Sequence, residues 1–65
     1  MIPVEEFKNL IGKEIGAGVP RFNGVDLFYH YGKLLRVYPT SIVLETSKGI
    51  QILEISHILE VKERK

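Results

Sequence analysis

Two apolar runs on either side of a proline turn constrain the fold of this chain more than any other feature. Residues 32–45 read GKLLRVYPTSIVLE, with a Tyr38-Pro39-Thr40-Ser41 turn between the runs. Short runs rich in leucine and β-branched residues, separated by turn-forming residues, are typical of a β-hairpin. The sequence therefore predicts a mostly β fold.

The size of the chain limits how it can be stabilised. Its 65 residues are enough for a single small domain, residues 1–65, and a chain of this size buries only about 60% of its unfolded surface. It has no cysteine, and its two histidines, His30 and His57, lack the spacing of a zinc site. We expect no metal or other cofactor, and we expect association with further copies to add stability.

The N-terminal segment predicts a short helix over residues 3–11. Pro3 suits the first helical position, and the glutamates that follow lie where they favour the helix dipole. The polar face is acidic, which favours packing on a sheet over binding to a membrane surface. The predicted apolar face and the residue that ends the helix are Val4, Phe7, Leu10, Ile11 and Gly12.

Residues 13–62 predict five strands, at 13–19, 27–38, 42–46, 50–55 and 58–62, followed by a frayed polar tail. Gly16 and Gly18 predict a bend or a close backbone approach in the first strand. A phosphate site is disfavoured, because a strand–GxGxxG–helix context is missing. Asn23-Gly24 predicts the turn between strands one and two.

The long second strand is predicted to bend at Gly32 and to contribute to both halves of a closed barrel. Alternation places Leu27, Tyr29 and Tyr31 on one face, with Phe28 and His30 on the other. The aromatic cluster has two interpretations. It can stack on the bases of a single-stranded nucleic acid, or it can pack in a core or a subunit interface.

Motifs along the chain resemble those of the Sm-like family. Gly12-Lys13-Glu14-Ile15 is similar to the junction of helix and first strand, and Gly32-x-Leu34-x-x-Val37 is similar to the core of the first Sm motif. Ile42-Val43-Leu44-Glu45 resembles the next strand of the Hfq-type version, and residues 54–59 lie at the place of the second motif. The resemblance implies a short N-terminal helix and a strongly bent, five-stranded antiparallel barrel of Sm-like or SH3-like type.

The chain departs from this family at the uridine pocket. Tyr38 and Ile42 stand where Sm proteins carry Asp and Asn, and Ile55-Ser56-His57 replaces the Arg-Gly turn and the Lys-His pair. The resemblance implies an oligomeric module that binds single-stranded RNA without catalysis. The alternative is a protein-interaction or assembly barrel that has lost the RNA pocket. The candidate RNA-binding residues are Tyr29, Tyr31, Lys33, Arg36, Tyr38 and His57.

Several further expectations concern partners and location. Strands that are apolar on both faces favour a homo-oligomer and allow a protein partner. Ser56 and His57 would point to opposite faces of a strand, and no other catalytic grouping is recognisable, so we expect no enzymatic activity. Without a membrane-spanning stretch or a secretory signal, a cytoplasmic protein with no membrane association is expected.

Overall fold

The computed structural model describes residues 2–21 and 26–64. It contains one short helix and five strands in the predicted order, so the mostly β fold is confirmed. The predicted Asn23-Gly24 turn lies outside the described residues. The elements are helix α1 (Val4–Lys8), strands β1 (Glu14–Pro20), β2 (Leu27–Val37), β3 (Ser41–Thr46) and β4 (Gly49–Glu54), a 3-10 helix (Ile55–His57) and strand β5 (Glu60–Glu63).

All five strands belong to one antiparallel sheet in the order β4-β3-β2-β1-β5. Strand β2 pairs with β1 through residues 27–33 and with β3 through residues 33–37. The long strand, predicted to contribute to both halves of a closed barrel, thus pairs with a different neighbour in each of its halves. The predicted closure into a barrel is not confirmed. Among the described residues, β4 and β5 are the two ends of the sheet, and β5 pairs with β1 over four residues.

Gly32 marks the point where β2 changes partners. A Cβ atom at this position would lie 2.6 Å from the carbonyl oxygen of Glu45. The backbone of β3 therefore approaches so closely that only glycine fits. A bulge between Leu34 and Arg36 follows, and bulges increase the local twist of a strand.

One face of the sheet, together with α1 and the 3-10 helix, forms the core. Phe7 is the buried residue of α1, which packs against β2. No buried polar side chain occurs in the described residues, so the core is held by apolar burial. The buried apolar residues are Phe7, Ile15, Ala17, Leu34, Ile42, Leu44, Ile55 and Ile58.

The helix is shorter than predicted. It ends at Lys8, so the helical periodicity does not extend to Ile11, which is 48% exposed. The assignment of Ile11 to the apolar face was wrong. Gly12 does end the segment as predicted: its φ is +88°, and its N–H donates to the carbonyl oxygen of Leu34 at 2.7 Å. Residues 2–21 and 26–64 include no helix with the length and apolar character that a membrane crossing requires.

Candidate nucleic-acid interface

The aromatic residues of β2 alternate between two faces as predicted. The rings of Tyr29 and Tyr31 are nearly parallel, with an interplanar angle of 17° and centroids 6.0 Å apart. On the opposite face Phe28 contacts His30 edge to face, with ring centroids 4.9 Å apart. The strand therefore presents a tyrosine pair on one side and a separate aromatic pair on the other.

The two glycines of β1 lie opposite the tyrosine pair. Gly16 is the cross-strand partner of Tyr31, and Gly18 is the partner of Tyr29. A Cβ on Gly16 would lie 2.7 Å from Cε1 of Tyr31, and one on Gly18 would lie 3.1 Å from Cε2 of Tyr29. These glycines were predicted to produce either a bend or a close backbone approach. The close approach is found, because the tyrosine rings cover the glycine backbone. Strand β1 continues from Glu14 to Pro20 through both glycines.

Strand β5 completes this surface from the other side of β1. The Nζ atom of Lys62 lies 4.7 Å from the ring centroid of Tyr29, and the Cζ atom of Arg64 lies 4.6 Å from that of Tyr31. The hydroxyl of Tyr29 donates a hydrogen bond to Glu60. We call Tyr29, Tyr31, Glu60, Lys62 and Arg64 the tyrosine face.

Sequence reasoning missed Lys62 and Arg64 as possible ligand contacts. The predicted frayed tail is wrong for Arg64, whose N–H donates to the carbonyl oxygen of Glu14 at 2.8 Å. This bond extends the pairing of β5 with β1 by one residue. The sequence did contain a signal for this surface. Glu60, Lys62 and Arg64 are spaced two residues apart, and residues with this spacing on a strand share a face.

The hydrogen bond to Glu60 raises the pKa of the Tyr29 phenol above its ordinary value of 10.0, with smaller contributions from desolvation and from the charges of Glu60 and Tyr31. The stabilisation from this bond is present below the pKa of the unfolded chain and is lost as the pH rises through the higher folded value. Glu60→Gln is expected to lower the pKa of Tyr29, measured by ring ¹³C NMR across alkaline pH. Glu54→Gln is the control and should leave that pKa unchanged; equal effects would contradict the assignment.

Three more predicted contact residues lie on the same side of β2 as the tyrosine pair. Lys33 is two residues beyond Tyr31 and therefore shares its face. The bulge between Leu34 and Arg36 adds one residue, so Arg36 returns to this face instead of pointing to the other. Tyr38 continues the alternation at the turn and is 47% exposed.

His57 is not brought together with the tyrosine face. It lies on the 3-10 helix, where its Nε2 is 3.4 Å from Oε2 of Glu54. With His30, which is on the opposite face of β2, it lines an open cavity of about 690 Å³. Within the described part of the chain, no group of three or more histidine, cysteine or acidic side chains is placed to hold a metal ion. The 3-10 helix therefore places His57 beside Glu54 and the cavity and not beside the tyrosine pair, and its contact with RNA stays a prediction.

An open groove of about 420 Å³ runs beside the tyrosine pair. It separates residues 28–31 of β2 from the turn between β3 and β4, where Lys48 lines the opposite wall. Lys48 thus shares this groove with the tyrosine pair, whereas Lys62 and Arg64 lie over the rings themselves.

The second exposed surface is the edge of the sheet at β4. This strand pairs with β3 alone among the described strands. Its residues Ile50 and Ile52 are 59% and 70% exposed. An apolar strand with one unpaired edge is a template for pairing with another chain.

Comparisons with known proteins found no matching family model, no matching curated protein and no matching solved structure. The functional interpretation therefore depends on the geometry of two surfaces, the tyrosine face and the β4 edge. Each has a chemistry that indicates a different kind of partner.

Proposed function

We propose that this chain is a non-catalytic, Sm-like oligomeric module, with a strongly bent barrel-type sheet, that binds single-stranded RNA on the tyrosine face. The observation that carries the proposal is the nearly parallel tyrosine pair with a cationic group within 5 Å of each ring. Aromatic rings beside lysine and arginine are the usual means by which proteins hold single-stranded nucleic acid.

The chemistry of the face suits both parts of a nucleotide. Bases without a Watson–Crick partner stack on tyrosine rings, and the phosphates attract lysine and arginine. Lys33 and Arg36, further along the same face of β2, extend the cationic surface. The nearby acidic Glu60 accepts a hydrogen bond from the Tyr29 hydroxyl; it weakens the local attraction for phosphate, while Tyr31 remains 44% exposed.

The salt dependence of binding provides the first test. For single strands, the logarithm of the binding constant falls with the logarithm of salt concentration with a slope of about −0.7 per phosphate contact. Fluorescence anisotropy with labelled oligo-uridine should show such a slope, and Lys62→Gln should make it shallower by about 0.7. Lys8→Gln, the same change on α1, is the control. Absence of binding at low salt, or binding that salt does not weaken, would contradict the proposal.

Assembly through the sheet edges is the second candidate function, and the β4 edge favours it. Natural sheets normally protect their edges with charge, proline or a covering segment. Strand β4 instead exposes Ile50 and Ile52. A second copy of the chain that adds a strand at this edge would bury both residues and satisfy the unpaired backbone groups. A protein partner of different sequence is the other possible occupant.

Ile52→Lys is expected to dissociate the oligomer, because it places a charge in the proposed interface. Light scattering coupled to size-exclusion chromatography should give a multiple of the 7.4 kDa chain mass for the wild type and a smaller mass for the variant. Ile11→Lys, at an exposed residue far from β4 in sequence, should leave the mass unchanged. A wild-type monomer at high protein concentration would contradict self-assembly, whereas an oligomer without RNA affinity would favour the assembly function alone.

A further inference from the structure

The spacing of the tyrosine pair fits two bases that are not stacked on each other. The ring centroids of Tyr29 and Tyr31 are 6.0 Å apart. Nucleotides in a stacked duplex follow one another at about 3.4 Å along the axis, so two neighbouring stacked bases do not match this separation. In an extended single strand the bases are unstacked and can be splayed apart, so consecutive bases can lie further from each other than in a stack. The spacing of the rings therefore suits an extended single strand better than a stacked duplex.

The side chains of Lys62 and Arg64 already cover the rings in the free protein. Each cation lies less than 5 Å from a ring centroid, within the range of a cation–π contact. A base can stack on that side of a ring only if the cation moves away. Long flexible stems allow such movement, and phosphates on either side of a stacked base offer the cation a partner of opposite charge.

We propose that Tyr29 and Tyr31 each stack on one of two consecutive bases of an extended single-stranded nucleic acid, and that Lys62 and Arg64 move from the rings to the flanking phosphates. This inference rests on the RNA-binding function proposed above. The single-stranded nucleic acid follows the groove beside the tyrosines, where Lys48 lines the far wall. The hydrogen bond from the Tyr29 hydroxyl to Glu60 holds that ring in place during the exchange.

The movement of Arg64 has a measurable consequence. Arg64→Gln removes a phosphate contact, which weakens binding at low salt, and it also uncovers the ring of Tyr31, which favours stacking at every salt concentration. The plot of log binding constant against log salt should therefore be shallower by about 0.7 and should cross the wild-type line at high salt. Parallel lines would overturn the proposed movement.

The stacking itself is tested with the tyrosines as reporters. The chain has three tyrosines and no tryptophan, so Tyr38→Phe leaves only the pair on the tyrosine face as fluorophores. Oligo-uridine RNA and oligo-thymidine DNA should both quench this fluorescence, and a duplex hairpin should not. A difference between the RNA and DNA arms shows whether the 2′-hydroxyl is also recognised.

In the Tyr38→Phe background, Tyr31→Leu should weaken binding about 10-fold, because it removes the ring on which one base stacks, whereas Tyr31→Phe should retain most of the affinity. Circular dichroism of both variants verifies that they fold. If RNA binds without quenching the tyrosine fluorescence, and if Tyr31→Leu does not weaken that binding, the stacking inference is overturned and the RNA-binding function stands. No binding of any oligonucleotide would overturn both.

Discussion

Phe7→Ala is expected to lower the free energy of unfolding by about 3–5 kcal/mol, the usual cost of removing a buried phenylalanine side chain. Phe7 is fully buried and is the buried residue of α1. The helix has five residues, too few to be stable in water without packing. At roughly 0.05–0.15 kcal/mol per residue, a chain of this size is stable by about 3–10 kcal/mol, so the variant should lose a large share of its stability.

Urea unfolding followed by far-ultraviolet circular dichroism measures this effect. Ile11→Ala is the matched control, since Ile11 follows the same helix and is 48% exposed, and exposed substitutions usually change stability by less than about 0.5 kcal/mol. Equal losses for the two variants would show that the helix is not held through Phe7. Their difference therefore reports how firmly α1 is docked on the sheet.

Gly32→Ala is expected to lower the free energy of unfolding by about 1–3 kcal/mol, the typical cost of overpacking. The added methyl group would meet the carbonyl oxygen of Glu45 at 2.6 Å. That oxygen is backbone and belongs to the strand that pairs with β2, so it cannot rotate away. The contact is relieved only by moving β3, which disturbs the pairing between Lys33 and Glu45.

Gly18→Ala is the control for this prediction, because its nearest neighbours are side-chain atoms of Tyr29 and Leu27 at 3.1 Å and 3.3 Å. Rings and methyl groups can move by small rotations, so a smaller loss of stability is expected. Amide hydrogen exchange of β2 and β3 should show faster exchange near residues 33 and 45 in Gly32→Ala alone. A stability like that of the wild type would mean that β3 tolerates the displacement.

Much of the tyrosine face could be predicted from the sequence, because it depends on local periodicity. Alternation along one strand is sufficient to place Tyr29 and Tyr31 together. The contributions of Lys62 and Arg64 could not be found in this way. Their contacts with β2 cross the intervening strand β1 and exist only because Gly16 and Gly18 carry no side chains, a relation set by the register of three strands.

The end of the helix and the closure of the barrel also depended on contacts between residues far apart in the sequence, which local patterns do not specify. Gly12 was recognisable as a stop from its residue type, whereas the exposure of Ile11 depends on where the helix ends. Closure of the barrel would require pairing between β4 and β5, and no local pattern specifies contacts between strands separated by a 3-10 helix. The position of His57 was missed for this reason too, since that helix directs it toward His30 and the cavity.

The glycines of β1 also determine which parts of this surface can change independently. At Gly16 and Gly18 the middle strand offers no side chain of its own, so the chemistry above it comes entirely from β2 and β5. On the other side of the same strand, Ile15 and Ala17 are buried in the core. Strand β1 thus acts as a spacer between the tyrosine face and the core. New recognition properties could be introduced at the ring and cation positions while the packing beneath them stays the same.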